Sequence, residues 1–155
     1  MGFSRALKYF NNAGSPTGDQ AVGPLNVTSM SKLFAAKVTG SILGGYTSIP
    51  PGAATDNAVF IGVQWVSHGS TPLSVVTQST SSNFLKVRQM SQENMVSTWA
   101  PDSGNAEFGI WSGIDLDWRG QLPLGSNIDF WFSMGQTIGT TFTWAAAGAI
   151  EIVYT

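Results

Sequence analysis

Two stretches near the end of this chain alternate with a period of two, and they restrict its fold more than anything else in it. In Ile128-Asp-Phe-Trp-Phe-Ser-Met134, residues Ile128, Phe130, Phe132 and Met134 fall on one side of a pleat, with Asp129, Trp131 and Ser133 on the other. In Ala149-Ile-Glu-Ile-Val-Tyr-Thr155, residues Ile150, Ile152 and Tyr154 share a face, with Glu151 and Val153 opposite. Such strands hide their backbone and apolar side chains only inside a sheet. The rest of the chain is therefore expected to supply that sheet and its cover.

Upstream, β segments are expected at 26–41, 58–67, 73–77, 84–90, 95–99 and 107–118, followed by 128–134 and 141–155. Between them stand Gly44-Gly45, Pro50-Pro51-Gly52, His68-Gly69, Pro101-Asp102-Ser103-Gly104 and Gly125-Ser126-Asn127, the residue types that reversals require. No convincing helix of ten or more residues follows Lys37. One domain of this size with eight short strands fits an all-β, two-sheet, eight-stranded jelly-roll sandwich over residues 25–155. Residues 1–24 read as a short N-terminal arm and linker. Phe3, Leu7 and Phe10 stand at helical spacing in the arm, and Asn11 to Pro24 is rich in Gly, Pro and polar residues.

Only 10% of the residues are charged, against about 25% in an average soluble domain, while 43% are hydrophobic. Several strands also carry aromatic side chains on both faces, although only one face of each sheet in a sandwich looks inward. Partners covering much of the surface would account for both features, so a homo-oligomer is expected. Trp65 and Trp118 fall on apolar strand faces and suit the core. Trp111 and Trp131 fall on mixed faces and, with Phe3, Leu7 and Phe10 of the arm, are the candidates for contact between subunits.

Support for catalysis is poor. The single histidine, His68, sits beside a glycine in an expected turn, and no patterned glycine loop for phosphate is present. Asp115 and Asp117 share a strand face as in some glycosidases, but Gly113 stands where the first acid of a laminarinase-like pattern would be. A solvated strand face is the default reading of that pair, and calcium at a subunit boundary is the alternative. No other cofactor is expected. With no cysteine the chain has neither a disulfide framework nor a thiolate metal site, which leaves its redox compartment undetermined. It has no apolar run long enough to cross a membrane and no long apolar core of a signal peptide, so neither membrane insertion nor secretion is expected. Residues 1–37 carry Arg5, Lys8, Lys32 and Lys37 against Asp19, far short of a dense basic run for nucleic acid. Exposed tryptophan could also stack on sugars, which makes a carbohydrate-binding module, such as the head of a viral or phage fibre, the alternative to an assembling subunit.

Three segments carry a resemblance. Ala147-Gly-Ala-Ile-Glu-Ile-Val-Tyr-Thr155 resembles the last shell-domain strand of small icosahedral RNA-virus coat proteins. Ser31-Lys-Leu-Phe-Ala-Ala-Lys-Val-Thr-Gly-Ser41 is similar to their first shell strand, and Ala58-Val-Phe-Ile-Gly-Val-Gln-Trp65 to the next long one. The resemblance implies a mobile arm followed by one jelly roll, assembled in many copies into a virion, with host cytoplasm as the place of assembly and other capsid proteins as further partners. Two departures qualify it. Only Arg5 and Lys8 stand where such proteins carry a strongly basic arm, so genome contact is expected to be weak or to pass through Lys86 and Arg88. The family's interface-calcium aspartates have no motif match here, and Asp115 with Asp117 rest on chemistry alone.

Overall fold

The structure, a computed structural model, describes residues 2–12, 19–46, 58–91, 96–98, 107–136 and 142–155. Nine strands and one short helix are found there: β1 (Ser4–Asn11), β2 (Gln20–Val27), β3 (Lys32–Tyr46), β4 (Ala58–Ser67), α1 (Val75–Gln78), β5 (Phe84–Ser91), β6 (Val96–Thr98), β7 (Glu107–Pro123), β8 (Ile128–Gln136) and β9 (Phe142–Tyr154). They form a five-stranded sheet of order β1-β9-β3-β7-β6 and a four-stranded sheet of order β2-β8-β4-β5.

The pairing is nested. β1 pairs with β9, β2 with β8, β3 with β7 and β4 with β5, all antiparallel. The chain is thus a long ribbon folded back at the β4–β5 connection and rolled up, so that β9 also meets β3 and β8 also meets β4. That arrangement is a jelly roll of eight strands. The three-residue β6 is an addition, paired to the outer edge of β7.

The two alternating stretches at the end of the chain become interior strands, β9 in one sheet and β8 in the other. Ile128, Phe130, Phe132 and Met134 are buried as their period requires, and Ile150 and Ile152 meet them within one core cluster. Leu33, Val38, Ile42, Ile61, Val63, Ile114 and Leu116 belong to the same cluster. Burying side chains of this size stabilises by roughly 1.5–3 kcal/mol each, which is why the alternation dictates the layers. Midway along the β3–β9 pair, Gly40 faces Gly148. A Cβ on Gly40 would collide with the Ala147 carbonyl oxygen, and one on Gly148 with that of Thr39, so the strands approach this closely only because both residues are glycine.

Three expectations need correction. The segment carrying Phe3, Leu7 and Phe10 is not a helix but the edge strand β1. Its spacing of three and four residues suits a helix, yet pairing the whole segment to β9 satisfies more backbone than one and a half isolated turns could. The expected linker contains β2, which runs across residue 24. Pro24 is tolerated because β2 is an edge strand, where one side of the backbone needs no partner. Residues 73–77, expected as a strand for their two valines, instead lead into α1 within the β4–β5 connection.

Candidate assembly surfaces

The sandwich has two outer faces, and this chain covers one of them itself. On the four-stranded sheet the β4–β5 connection folds back over β4 and β8. Val75 of α1 is buried there, its Cγ2 3.2 Å from where a Cβ on Gly62 would lie. Beneath the connection, Gln64 is fully buried and binds it at both ends: Nε2 donates to the Leu73 carbonyl at 2.8 Å and Oε1 accepts from the Leu73 amide at 2.8 Å. Gln64 Nε2 also donates to Ser133 Oγ at 2.6 Å, so these two buried polar side chains satisfy each other.

Trp131 belongs to this covered face. It is half-buried, and its ring lies against Gly23, whose Cβ would fall 3.2 Å from Trp131 Cε3. Beside it a cleft of about 400 Å³ is walled by Asp19, Leu73, Ser74 and Trp131. Ser74 Oγ donates to Asp19 Oδ2 at 2.7 Å, and the Gln136 amide donates to Asp19 Oδ1 at 3.4 Å. Trp131 Nε1 is buried with no hydrogen-bond partner among the described residues. Of the other tryptophan expected at a contact, Trp111, the side chain lies outside what is described.

Among the described residues, nothing covers the outer face of the five-stranded sheet. Its far edge is β1, from which Phe3 (65% exposed), Leu7 (47%) and Tyr9 (76%) stand out, the only large hydrophobic side chains exposed among the described residues. Phe3 leans edge-on against Phe34 at 4.9 Å, and the two border a groove of about 420 Å³ that Lys32, Gln121 and Thr155 complete. Phe10, expected with Phe3 and Leu7 at a contact between subunits, points the other way. It is buried and stacks on Phe132 with ring centroids 5.4 Å apart, so it belongs to this chain's own core.

The same face carries the two aspartates considered for calcium. Asp115 and Asp117 are both exposed on β7. Asp117 Oδ1 accepts from Arg119 Nε at 3.0 Å and Asp117 lies opposite Lys37 across the β3–β7 pair, while Asp115 lies opposite Thr39. Among the described residues, no group of three His, Cys, Asp or Glu side chains comes together to hold a metal. Glu151 adds a third acid on β9, opposite Lys37 and 3.9 Å from Arg5 Nε. The face therefore mixes both signs of charge.

The basic residues considered for nucleic acid do not converge. Arg5 points outward from β1, and Lys8 points to the other side of that strand, where its Nζ donates to the Pro24 carbonyl at 3.0 Å. Lys86 and Arg88 are exposed on β5, paired with Val63 and Ile61 at the far edge of the other sheet. Two pairs at opposite borders of the sandwich make no single basic patch.

One polar cluster escaped sequence reasoning. Asp129 is buried on β8, where Gly69 N donates to its Oδ2 at 3.0 Å, Asn26 Nδ2 donates to its Oδ1 at 2.8 Å and His68 Nδ1 lies 3.1 Å from Oδ1. Burial raises the carboxyl pKa, but the hydrogen bonds from Gly69, His68 and Asn26 outweigh it and hold the group below the ordinary carboxylate value. The cluster ties the turn after β4 to β2 and β8. Its members are separated by as many as 103 residues, and the alternation of β8 alone marks Asp129 only as outward-facing.

No family model matches the chain, and no curated protein matches it. Among solved structures it is similar to viral capsid proteins. The infectious bursal disease virus VP2 subviral particle aligns over 97% of this chain and 32% of its own at 12% identity, with a TM-score of 0.37. Desmodium yellow mottle tymovirus aligns over 99% of this chain and 87% of its own at 11% identity and a TM-score of 0.28. Empty-head turnip yellow mosaic virus aligns over 97% and 79% at 9% identity and 0.29. The chain thus spans about a third of the VP2 length. At these TM-scores the fold assignment rests on the nested strand pairing, not on the alignments.

Proposed function

We propose that this chain is a viral capsid subunit, a structural protein whose copies assemble into a closed icosahedral shell and whose place is the virion. The observation that carries the reading is the division of its two outer faces. One is covered by the β4–β5 connection, and the other is covered by none of the described residues and carries Phe3, Leu7 and Tyr9 along its edge. Large apolar side chains gathered at one border of a domain that is only 10% charged favour contact with further protein. Symmetry then turns one such contact into a shell without any turnover. Calcium enters this proposal only at a boundary between copies, since Asp115 and Asp117 would need further oxygen ligands from a neighbour. Genome contact through Arg5, Lys8, Lys86 and Arg88 is weak in this reading, and other capsid proteins are allowed as partners.

Electron microscopy and sedimentation of the purified protein test the proposal. Particles of uniform size are the expected outcome. A monomer at every salt, calcium and pH condition would overturn it. The cleft beside Trp131, walled by that half-buried indole and by Asp19, favours a second reading in which the sandwich binds a glycan. Glycan binding by the wild-type protein that disappears in Trp131→Ala would select that reading.

A further inference from the structure

We propose that β1 of one copy pairs antiparallel with β1 of a second copy about a twofold axis at Leu7, joining two five-stranded sheets into one continuous sheet. The inference rests on the reading of this chain as an assembling subunit and specifies one of its contacts.

The backbone supplies the first argument. Asn12 N donates to the Ala146 carbonyl at 2.9 Å, one step beyond the Asn11↔Ala147 pair, so the hydrogen-bonded positions of the β1–β9 pair fall on even residues of β1. On the other side of β9, Thr155 N donates to the Lys32 carbonyl and Lys32 N donates to the Thr155 carbonyl, so its odd positions serve β3. The N–H and C=O groups of Arg5, Leu7 and Tyr9 therefore face away from β9, along an edge that no described strand pairs with. An unpaired edge of this kind is a template for another strand unless something blunts it.

Side chains and charge choose the occupant and the register. In a twofold antiparallel pair, residues that face each other must lie on the same side of the sheet. Placing the axis at Lys8 sets lysine against lysine, and placing it at Arg5 sets arginine against arginine, both unfavourable. The axis at Leu7 sets Leu7 against Leu7, Lys8 against Ala6 and Arg5 against the Tyr9 ring, where a cation is welcome. It also engages nearly the whole of Ser4–Asn11, because Leu7 lies beside the midpoint of the strand. A parallel pair would oppose both cations to their own copies. The apolar stripe and the charges are therefore complementary to a second copy of this strand, in one direction. An eight-residue pair is smaller than a standard stable interface, so this contact works as one of several in an assembly.

The absence of cysteine from the sequence makes the test clean. Facing Cα atoms in a hydrogen-bonded antiparallel pair stand about 5.5 Å apart, within disulfide reach. In Leu7→Cys, mild oxidation of the assembled protein is expected to convert most chains to a covalent dimer on a non-reducing gel. Arg5→Cys alone should give little, because its copies are offset by four residues, roughly 13 Å. Mixing Arg5→Cys with Tyr9→Cys chains before assembly should restore a heterodimer, which provides a second measurement should Leu7→Cys fail to fold. Equal dimer from Leu7→Cys and Arg5→Cys would overturn the register. No dimer from Leu7→Cys or from the mixture, in material that still sediments as particles, would overturn the β1 pairing and leave the capsid reading standing. Protein that stays monomeric throughout would overturn both.

Discussion

His68 Nδ1 lies 3.1 Å from Oδ1 of Asp129, a carboxylate whose side chain is only 3% exposed. With Gly69 and Asn26 completing its shell, this aspartate ties the turn after β4 to the interior of the second sheet. Because its folded pKa lies below the ordinary value of 3.8, the unfolded chain takes up the proton first as the pH drops. Its contribution is thus complete well above pH 3.8 and is lost as the pH falls from there through the folded pKa. Urea melts between pH 7 and pH 2 should show stability falling at the acid end. In Asp129→Asn the protein should be less stable at pH 7 by about 1–3 kcal/mol, with a shallower acid limb.

The Gly40–Gly148 position of the β3–β9 pair tolerates no added atom. Gly148→Ala drives a methyl group into the Thr39 carbonyl, with backbone on both sides and no flexible side chain to yield. A loss of at least about 1–3 kcal/mol is expected from such overpacking, read as a lower denaturation midpoint. Gly125→Ala, where a Cβ would meet nothing within 4 Å, should leave the midpoint nearly unchanged.

Gln64 fastens the β4–β5 connection to the sheet it covers. Gln64→Leu keeps much of the volume but leaves the Leu73 amide and carbonyl without their partner. The expected cost is about 1–3 kcal/mol. Hydrogen exchange should locate it, with amides of residues 73–78 exchanging faster before the core strands do.

Neighbouring residues of β1 should behave oppositely. Phe10→Ala removes a ring stacked on Phe132 in the core and should cost about 3–5 kcal/mol. Tyr9→Ser, at a side chain 76% exposed, should change stability by less than about 0.5 kcal/mol and yet reduce the fraction that sediments as particles. Thermal melts and sedimentation run on the same two variants separate core from contact.

Much of this fold was legible in the residues, and the misses have physical causes. β4, β5, β8 and β9 announce themselves because a strand buried on one face must alternate. The β1 segment is ambiguous in sequence because Phe3, Leu7 and Phe10 satisfy a helical face as well as a strand whose side chains split between two environments. Only the pairing with β9 shows that Phe3 and Leu7 go outward while Phe10 goes in. β2 was hidden by Gly23 and Pro24, residues that argue against a central strand but not against an edge. Of the expected site residues, the two basic pairs ended at opposite borders, and the Asp129 cluster had no signal in sequence because its members come from three separate segments.

By itself the sequence determined the local terms: an all-β sandwich, the inward side chains of its longest strands and a surface poor in charge. These follow from alternation and composition, which are properties of neighbours along the chain. Only the tertiary structure decided which outer face would be covered and which left open, and which strand would be left at the edge. Those outcomes depend on pairings such as Ser4 with Tyr154, nearly the whole chain apart, where the free energy comes from closing the sheet and not from any segment's own pattern.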